Sequence, residues 1–221
     1  MGNTGLLKDV TGPKSRVMVT ELGHLWAHML QRGVLATHRS IGFCAIGEDE
    51  GSNKLAANLA CFLGMRGKRL ALIEASLRSP CFSEMFGVTG APGLAEFLTE
   101  SAAQEDVLRM GVSSGVDVIP SGYSRDPFWC FTGGRFGSLQ KELLADRDLV
   151  LVDVPALACA PEAVLAVRAL DAVVLIVEAN RHSASLVQQN VAYLRSLGTP
   201  FLGVVLTNII YELPNTLERV L

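Results

Sequence analysis

The sequence lacks the marks of membrane-spanning and nucleic-acid-binding proteins. Charge, glycine or proline interrupts each apolar block well short of the about 20 residues that cross a bilayer, although 49% of the residues are hydrophobic. Residues 1–16 lack the apolar core of a signal peptide. No lysine- or arginine-rich run suggests a nucleic-acid groove, and the formal net charge is -3. We therefore expect a cytoplasmic protein with no nucleic-acid partner and no direct membrane insertion.

Cysteine and histidine are also arranged without a recognisable pattern. The five cysteines are odd in number, form no C-x-x-C pair and show no metal-ligand spacing with the four histidines. Cys44 and Cys61 lie inside apolar segments. Buried, reduced thiols are favoured over a disulfide framework or a zinc site. We expect no metal site.

What the sequence does contain is a regular alternation of short apolar runs and helical segments. The runs are continuously apolar, which is typical of parallel strands buried on both faces. Their alternation with helices predicts an α/β fold, a doubly wound, mostly parallel sheet with helices on both faces. The predicted strands are 40–46, 69–73, 116–119, 149–154, 172–177 and 201–206. The predicted helices are 17–31, 52–65, 93–98, 102–110, 134–144, 161–169 and 183–197.

The chain shows no internal repeat and no linker after its first residues. Residues 1–16 are polar and without periodicity, so they predict a flexible N-terminal arm. Residues 17–221 are predicted to form a single domain. In such a sheet, ligands bind at the carboxyl ends of the strands, which directs attention to the segments that follow the apolar runs.

Three of those segments carry motifs. Residues 56–60 read AANLA, residues 72–80 read LIEASLRSP, and residues 153–156 read DVPA. With these motifs in this order, the chain from about residue 21 to 208 resembles the cytoplasmic domain of bacterial tyrosine autokinases. That family consists of P-loop proteins related to the ParA and MinD ATPases. The resemblance implies a P-loop NTPase-like fold and, as partner, the cytoplasmic part of an inner-membrane polysaccharide co-polymerase.

The first motif departs from the family where phosphate and magnesium would bind. The family reads G-E-G-K-S-T before A-A-N-L-A. Here Gly51 keeps the glycine, Ser52 stands at the lysine position and Asn53 at the position of the magnesium-binding hydroxyl. The lysine neutralises the phosphates and the hydroxyl coordinates magnesium, so both roles lose their usual side chain. Lys54 follows two residues later and points elsewhere on the helix.

The remaining site positions are also altered. Residues 48–50 are three consecutive acids, which would repel a triphosphate. Where the family has D-A-D, this chain has Glu74 and Ser76, while the strand-end Asp153 is retained. The positions that correspond to the nucleotide site are Gly51, Ser52, Asn53, Glu74, Ser76 and Asp153. We therefore expect a degenerate Walker A site, no catalytic residue and no resident cofactor; if any is used, it is ATP or ADP with magnesium.

Other features of the family are missing or uncertain in their role. Tyr211 stands alone where the autokinases carry a C-terminal tyrosine cluster, and the family's E-x-x-R-x-x-R helix keeps only Glu21. Assembly by that route is in doubt, and homo-oligomerisation stays open. The aromatic loop at 126–131 favours rings folded onto the core over a protein-contact patch. Asn208 lies one position away from an adenine-reading residue of the family.

Three functions are weighed. The leading hypothesis is a pseudokinase, not an enzyme, which regulates or scaffolds a polysaccharide export complex, with a holdfast system as one home. The alternative is an active tyrosine autokinase or ParA/MinD-like ATPase with a displaced site, in which Lys54, Arg78 or a partner's basic residue supplies the lost charge. The third is a MinD-type localisation factor, which the short, proline-interrupted segment 212–221 does not favour as a membrane helix.

Overall fold

The computed structural model describes residues 13–208, except residues 32 and 49, with side chains described from residue 18 onward apart from residue 35. The helices are α1 (Pro13–Gln31), α2 (Val34–Thr37), α3 (Ser52–Gly64), α4 (Phe82–Phe86), α5 (Leu94–Leu98), α6 (Gln104–Val107), α7 (Pro127–Cys130), α8 (Arg135–Leu143), α9 (Glu162–Arg168) and α10 (Ala184–Ser196). The strands are β1 (Ser40–Ala45), β2 (Leu70–Glu74), β3 (Arg109–Ser113), β4 (Val116–Ile119), β5 (Leu149–Asp153), β6 (Ala172–Glu178) and β7 (Phe201–Thr207). Over this part of the chain, no helix is both long and apolar enough to pass through a bilayer.

One seven-stranded sheet runs through the molecule in the order β3-β4-β2-β5-β1-β6-β7. Each neighbouring pair is parallel except β3 and β4, which pair antiparallel. The predicted doubly wound, mostly parallel sheet is confirmed. The central strands β2, β5 and β1 end side by side, so their carboxyl-end loops meet at one edge.

Side chains of successive residues in the central strands pack alternately into two separate apolar clusters, one on each face of the sheet. In β5, Val150 and Val152 belong to one cluster, and Leu149 and Leu151 belong to the other. All four side chains are at most 3% exposed. Because side chains alternate across a strand, burial on both faces requires the continuous apolar runs of the sequence.

The sequence-based bounds were wrong at the edges of the sheet. The helix expected at 102–110 ends at Val107, and Arg109–Ser113 is instead a short antiparallel edge strand. This strand is half-buried or exposed and contains a glycine, so it carries no apolar run. The short helices α2, α4 and α7 were also missed. The first helix begins at Pro13, before the expected residue 17, and residues 1–12 of the predicted arm lie outside the described chain.

Helix α3 lies close to the loop between β3 and β4, and Gly64 makes this approach feasible. A Cβ atom added at Gly64 would stand 1.9 Å from the carbonyl oxygen of Ser114 and 2.9 Å from Val116 Cγ2. Backbone cannot move aside as a flexible side chain can. The absence of a side chain at Gly64 therefore fixes the distance between the phosphate-loop helix and the sheet.

We predict that Gly64→Ala lowers the free energy of unfolding by about 1–3 kcal/mol, because the added methyl group overpacks this contact. Urea denaturation monitored by circular dichroism measures the change. Gly137→Ala is the matched control, since a Cβ there meets no atom within 4 Å in helix α8. It should be neutral or stabilising by up to about 1 kcal/mol. Equal effects of the two changes would contradict the proposed contact.

Candidate functional site: a polar cleft at the carboxyl edge of the sheet

A cleft of about 260 Å³ opens at the carboxyl ends of β1, β2 and β5. Four of the six positions that the sequence assigns to a nucleotide site line it: Ser52, Asn53, Ser76 and Asp153. The sheet order brings these distant residues together, since β1 and β2 both pair with β5. Gly51 and Glu74 lie outside the lining of this cleft.

The turn into α3 retains the backbone form of a phosphate loop. Gly51 has φ 87° and ψ 17°, a left-handed conformation that favours glycine, and α3 begins at the next residue. The first amides of α3 are thereby directed to the cleft, where a helix N-terminus attracts anions. The backbone requirement of the family motif is met even though its side chains are changed.

The two altered side chains of the motif are engaged within the protein. Ser52 Oγ donates a hydrogen bond to Asp153 Oδ1 at 3.0 Å. Asn53 Oδ1 accepts from the Lys54 amide at 2.6 Å, and Asn53 Nδ2 donates to Cys81 Sγ at 3.2 Å. The lysine position therefore supplies no positive charge, and the amide at the hydroxyl position is used locally. This donor set does not fit a magnesium nucleotide bound in the ordinary P-loop manner.

Asp153 lies at the end of β5 and is 3% exposed. Burial raises the pKa of its carboxyl to about 8; the Ser52 hydrogen bond lowers the pKa and the Glu74 charge raises it. Without a lysine beside it, the carboxyl holds a proton near neutral pH. A protonated carboxyl donates a hydrogen bond and is a poor ligand for a cation.

Glu74, at the end of β2, is fully buried and has a structural role. Its Oε1 accepts from the amides of Cys81 and Phe82, at 2.5 and 2.8 Å, and its Oε2 accepts from the Ser121 amide at 3.0 Å. The carboxylate thus ties the start of α4 to the end of β4. Glu74 is not among the residues that line the cleft, and both of its oxygens are engaged by backbone amides, which does not support the metal contact considered from the sequence.

The acidic run of the loop does not face the cleft as a unit. The Glu50 side chain is fully buried and pairs with His182 Nε2 at 2.6 Å. It also accepts from the Gly47 amide at 2.6 Å and the Glu178 amide at 3.3 Å. Glu50 therefore fastens the loop to the end of β6 and engages the amide of Gly47, a residue that lines the cleft. That the acidic run repels a triphosphate stays a prediction. Glu48 does line the cleft, whereas Asp49 lies outside the described residues.

Among the described residues that line this cleft, Arg78 is the only lysine or arginine. Its guanidinium makes two hydrogen bonds to Glu162, at 2.6 and 3.1 Å. Glu162 is fully buried, and its hydrogen bond raises the pKa of Arg78, so the arginine stays charged. Lys54, the other cation considered from the sequence, instead lines a groove beside α1.

Sequence reasoning missed several contributors to the site. Glu162 and His182 gave no motif, because the partners of each lie 84 and 132 residues away in the chain. Cys81 and Cys159 both line the cleft, and burial is the main cause that raises the pKa of the Cys81 thiol. No group of three or more metal-ligating side chains occurs within the described ranges.

The expectation that the rings of the aromatic loop at 126–131 fold onto the core holds for some of them. In the aromatic loop, Phe131 is buried against Phe136, but the Trp129 residue is 65% exposed, so the rings do not all cover the core. Asn208 Nδ2 donates to Glu178 Oε1 at 2.9 Å. Tyr211 and the segment 212–221 lie outside the described residues.

The fold and the cleft together define a P-loop-type α/β protein. Among the solved structures that share this fold are two with less than 25% sequence identity to this chain. The chimerical protein CapA2B2 has a TM-score of 0.84 at 21% identity, covering 96% of this chain and 92% of its own. MinD of Pyrococcus horikoshii, complexed with Mg-ADP, has a TM-score of 0.67 at 20% identity, covering 82% and 76%.

The chain's homologues are bacterial tyrosine-protein kinases, which confirms the resemblance seen in the motifs. The putative tyrosine-protein kinase EpsB of Ralstonia solanacearum is 32% identical over 157 residues, 70% of this chain and 21% of EpsB. Tyrosine-protein kinase CpsD of Streptococcus agalactiae is 24% identical over 174 residues, 78% of this chain and 76% of CpsD. The chain thus spans about a fifth of EpsB and three quarters of CpsD. No protein-family profile matches it.

This kinship corrects one expectation. From the side chains at Ser52 and Asn53 we expected a protein that is not an enzyme, but the relatives are named tyrosine-protein kinases and point to an enzyme. Ser52 and Asn53 are differences between this site and the family motif. They do not by themselves remove the chain from an enzyme class.

We predict that the wild-type protein loses free energy of unfolding as pH rises from 5 to 8, and that Asp153→Asn reduces this loss. A carboxyl with a folded pKa of about 8 keeps a proton that the unfolded chain releases near pH 3.8, so rising pH favours unfolding across this window. The slope approaches about 1.4 kcal/mol per pH unit for one proton. Asparagine does not titrate, and its carbonyl can still accept from Ser52.

Urea denaturation at several pH values between 5 and 8 checks this expectation. The difference in unfolding free energy between variant and wild type should grow in favour of the variant as pH rises. Asp146→Asn serves as control, because that side chain is 68% exposed. Parallel pH profiles of wild type and Asp153→Asn would show that the carboxyl is already ionised in the folded protein.

Proposed function

We propose that this chain is a kinase-like regulatory subunit of a polysaccharide export machine. In this role it docks in the cytoplasm on the cytoplasmic part of an inner-membrane co-polymerase and influences assembly or chain length. The kinship with tyrosine-protein kinases and the three strand-end motifs support this role. A holdfast or other adhesive exopolysaccharide is one setting for such a machine.

The observation that carries the proposal is a phosphate-loop backbone with altered chemistry. Gly51 keeps its left-handed turn, and α3 directs its first amides at the cleft. Ser52, however, binds Asp153 where a lysine would neutralise phosphate. A regulatory subunit can use such a site to respond to a partner or to a weakly held anion while the fold of the family is preserved.

A second candidate is an ATP-dependent tyrosine kinase whose phosphate charge is neutralised from another direction. Arg78 favours this candidate, because it lines the same cleft as Ser52 and its side chain is 43% exposed. Recruiting Arg78 would weaken its pairing with the buried Glu162, which is costly. A basic residue from the partner protein would avoid that cost.

We predict that Ser52→Lys tightens Mg-ATP and Mg-ADP binding at least about tenfold, which corresponds to about 1.4 kcal/mol. A lysine at the start of α3 adds the missing positive charge and lowers the pKa of Asp153 through opposite charge. Isothermal titration calorimetry of wild type, Ser52→Lys and Ser52→Ala with each nucleotide measures the effect. Ser52→Ala controls for loss of the Asp153 hydrogen bond.

The wild-type titration also separates the two candidates. Micromolar binding that is lost in Arg78→Gln would favour the kinase with a displaced cation and count against the regulatory proposal. Weak wild-type binding, with copurification of an inner-membrane co-polymerase from native membranes, would support the regulatory subunit. No effect of deleting the chain on the amount or length of exported polysaccharide would overturn both.

A further inference from the structure

The polar cleft at the carboxyl edge of the sheet is short of positive charge. Among its described lining residues, the acids are Glu48 and Asp153 and the only lysine or arginine is Arg78. The guanidinium of Arg78 is already paired with the buried Glu162, through two hydrogen bonds of 2.6 and 3.1 Å. No ion pair joins Glu48 or Asp153 to another described residue. The two acids of the cleft are therefore left without a counter-charge.

The Asp153 side chain is the part of the cleft that points to a ligand. It is 3% exposed and lines the cleft. Its Oδ1 accepts the Ser52 hydroxyl at 3.0 Å, whereas within the described part of the chain no hydrogen bond reaches Oδ2. Buried polar atoms are nearly always paired in native proteins, because an unpaired one loses its hydration without compensation. A donor that enters the cleft would complete this carboxyl group.

We propose that the cleft is a docking site for a lysine side chain of the partner protein, the cytoplasmic part of the co-polymerase; this rests on the function proposed above. A lysine ammonium group is a compact charge with three donors and no acceptor. The cleft offers acceptors on Asp153, Glu48 and the half-buried Ser76. The partner thereby supplies the positive charge that this chain lacks at Ser52.

The apolar part of the lining suits the stem of a lysine. Val154, Pro155, Ala156 and Ala160 line the cleft together with Asp153. Lysine packs its aliphatic stem along apolar surface while its ammonium group stays with polar groups. The cleft volume of about 260 Å³ lies below the about 300 Å³ at which pockets for drug-sized ligands begin, so one side chain fills a large part of it.

Docking of the ammonium group releases the proton that Asp153 holds near neutral pH, since an opposite charge at hydrogen-bond distance lowers the pKa of a carboxyl. With a pKa of about 8 for the empty cleft, this release weakens binding about tenfold at pH 7 and about twofold at pH 8. Titration at pH 8 therefore keeps the cost of proton release small.

Two-dimensional NMR of the ¹⁵N-labelled full chain, titrated with n-butylammonium chloride at pH 8, tests the site. Saturable shifts are expected in the amides of Ser52 and Asn53. Tetramethylammonium, which has the same charge but no N–H donor, should bind at least about tenfold more weakly. Equal responses to the two ions, or shifts that leave both amides unchanged, would overturn the proposal.

Variants locate the binding to the carboxyl group. Asp153→Asn should weaken n-butylammonium binding at least about tenfold. Ser52→Lys should abolish it, because the new side chain supplies an ammonium group from within the chain. Asp146→Asn is the matched control and should bind as the wild type does, since that side chain is 68% exposed and lies outside the cleft lining. The spectra also show whether each variant is folded; if Asp153→Asn is not, unchanged binding by Ser52→Lys alone contradicts the proposal.

Carbodiimide coupling identifies the source of the lysine. A water-soluble carbodiimide activates a carboxyl group, and a contacting amine displaces the urea to form an amide. In the complex from native membranes, mass spectrometry should find Asp153 or Glu48 joined to a lysine of the co-polymerase, and Ser52→Lys should remove these crosslinks. Mixed unlabelled and ¹⁵N-labelled chains reveal lysines of a second copy. Crosslinks only to those, or none in a complex that forms, would overturn the docking. Absence of any complex would count against the proposed function, while n-butylammonium still reports on the cleft.

Discussion

Two buried carboxyl groups in register at the edge of the sheet constrain the whole site. Glu74 ends β2 and Asp153 ends β5, and the two residues are paired across adjacent parallel strands. Two ionised carboxylates this close and this deeply buried would repel each other strongly. Their surroundings differ: Glu74 accepts hydrogen bonds from three backbone amides, whereas Asp153 accepts one from a hydroxyl, and burial raises the pKa of Asp153 to about 8.

The different surroundings of Glu74 and Asp153 follow from the presence of Ser52 at the start of α3. A lysine there would compensate an ionised Asp153 as well as phosphate, but Ser52 offers one hydrogen bond and no charge. The neighbouring Asn53 also makes only local contacts. Its side-chain oxygen accepts from the Lys54 amide, and its side-chain nitrogen donates to Cys81 Sγ. The cleft is therefore stabilised by neutral and local contacts, and its scaffold does not depend on a bound cation.

Much of the fold could be predicted because burial on both faces leaves a direct mark on the sequence. Six of the seven described strands appear in the sequence as apolar runs, whereas β3 lies at an edge of the sheet with mixed burial and has no such run. The site was predicted only where residues sit at strand ends. The pairing of Glu50 with His182 could not be predicted, because the two residues lie 132 positions apart in the chain.

The position of Arg78 links phosphate chemistry to the stability of the fold. Its guanidinium is the counter-charge of Glu162, whose side chain is fully buried at the first residue of α9. A phosphate that attracted Arg78 away would leave a buried carboxylate without its cation, which costs more than a surface ion pair gains. An anion can therefore be bound in this cleft most readily if it shares Arg78 with Glu162. A second basic group, from a substituted Ser52 or from another protein, would remove that competition.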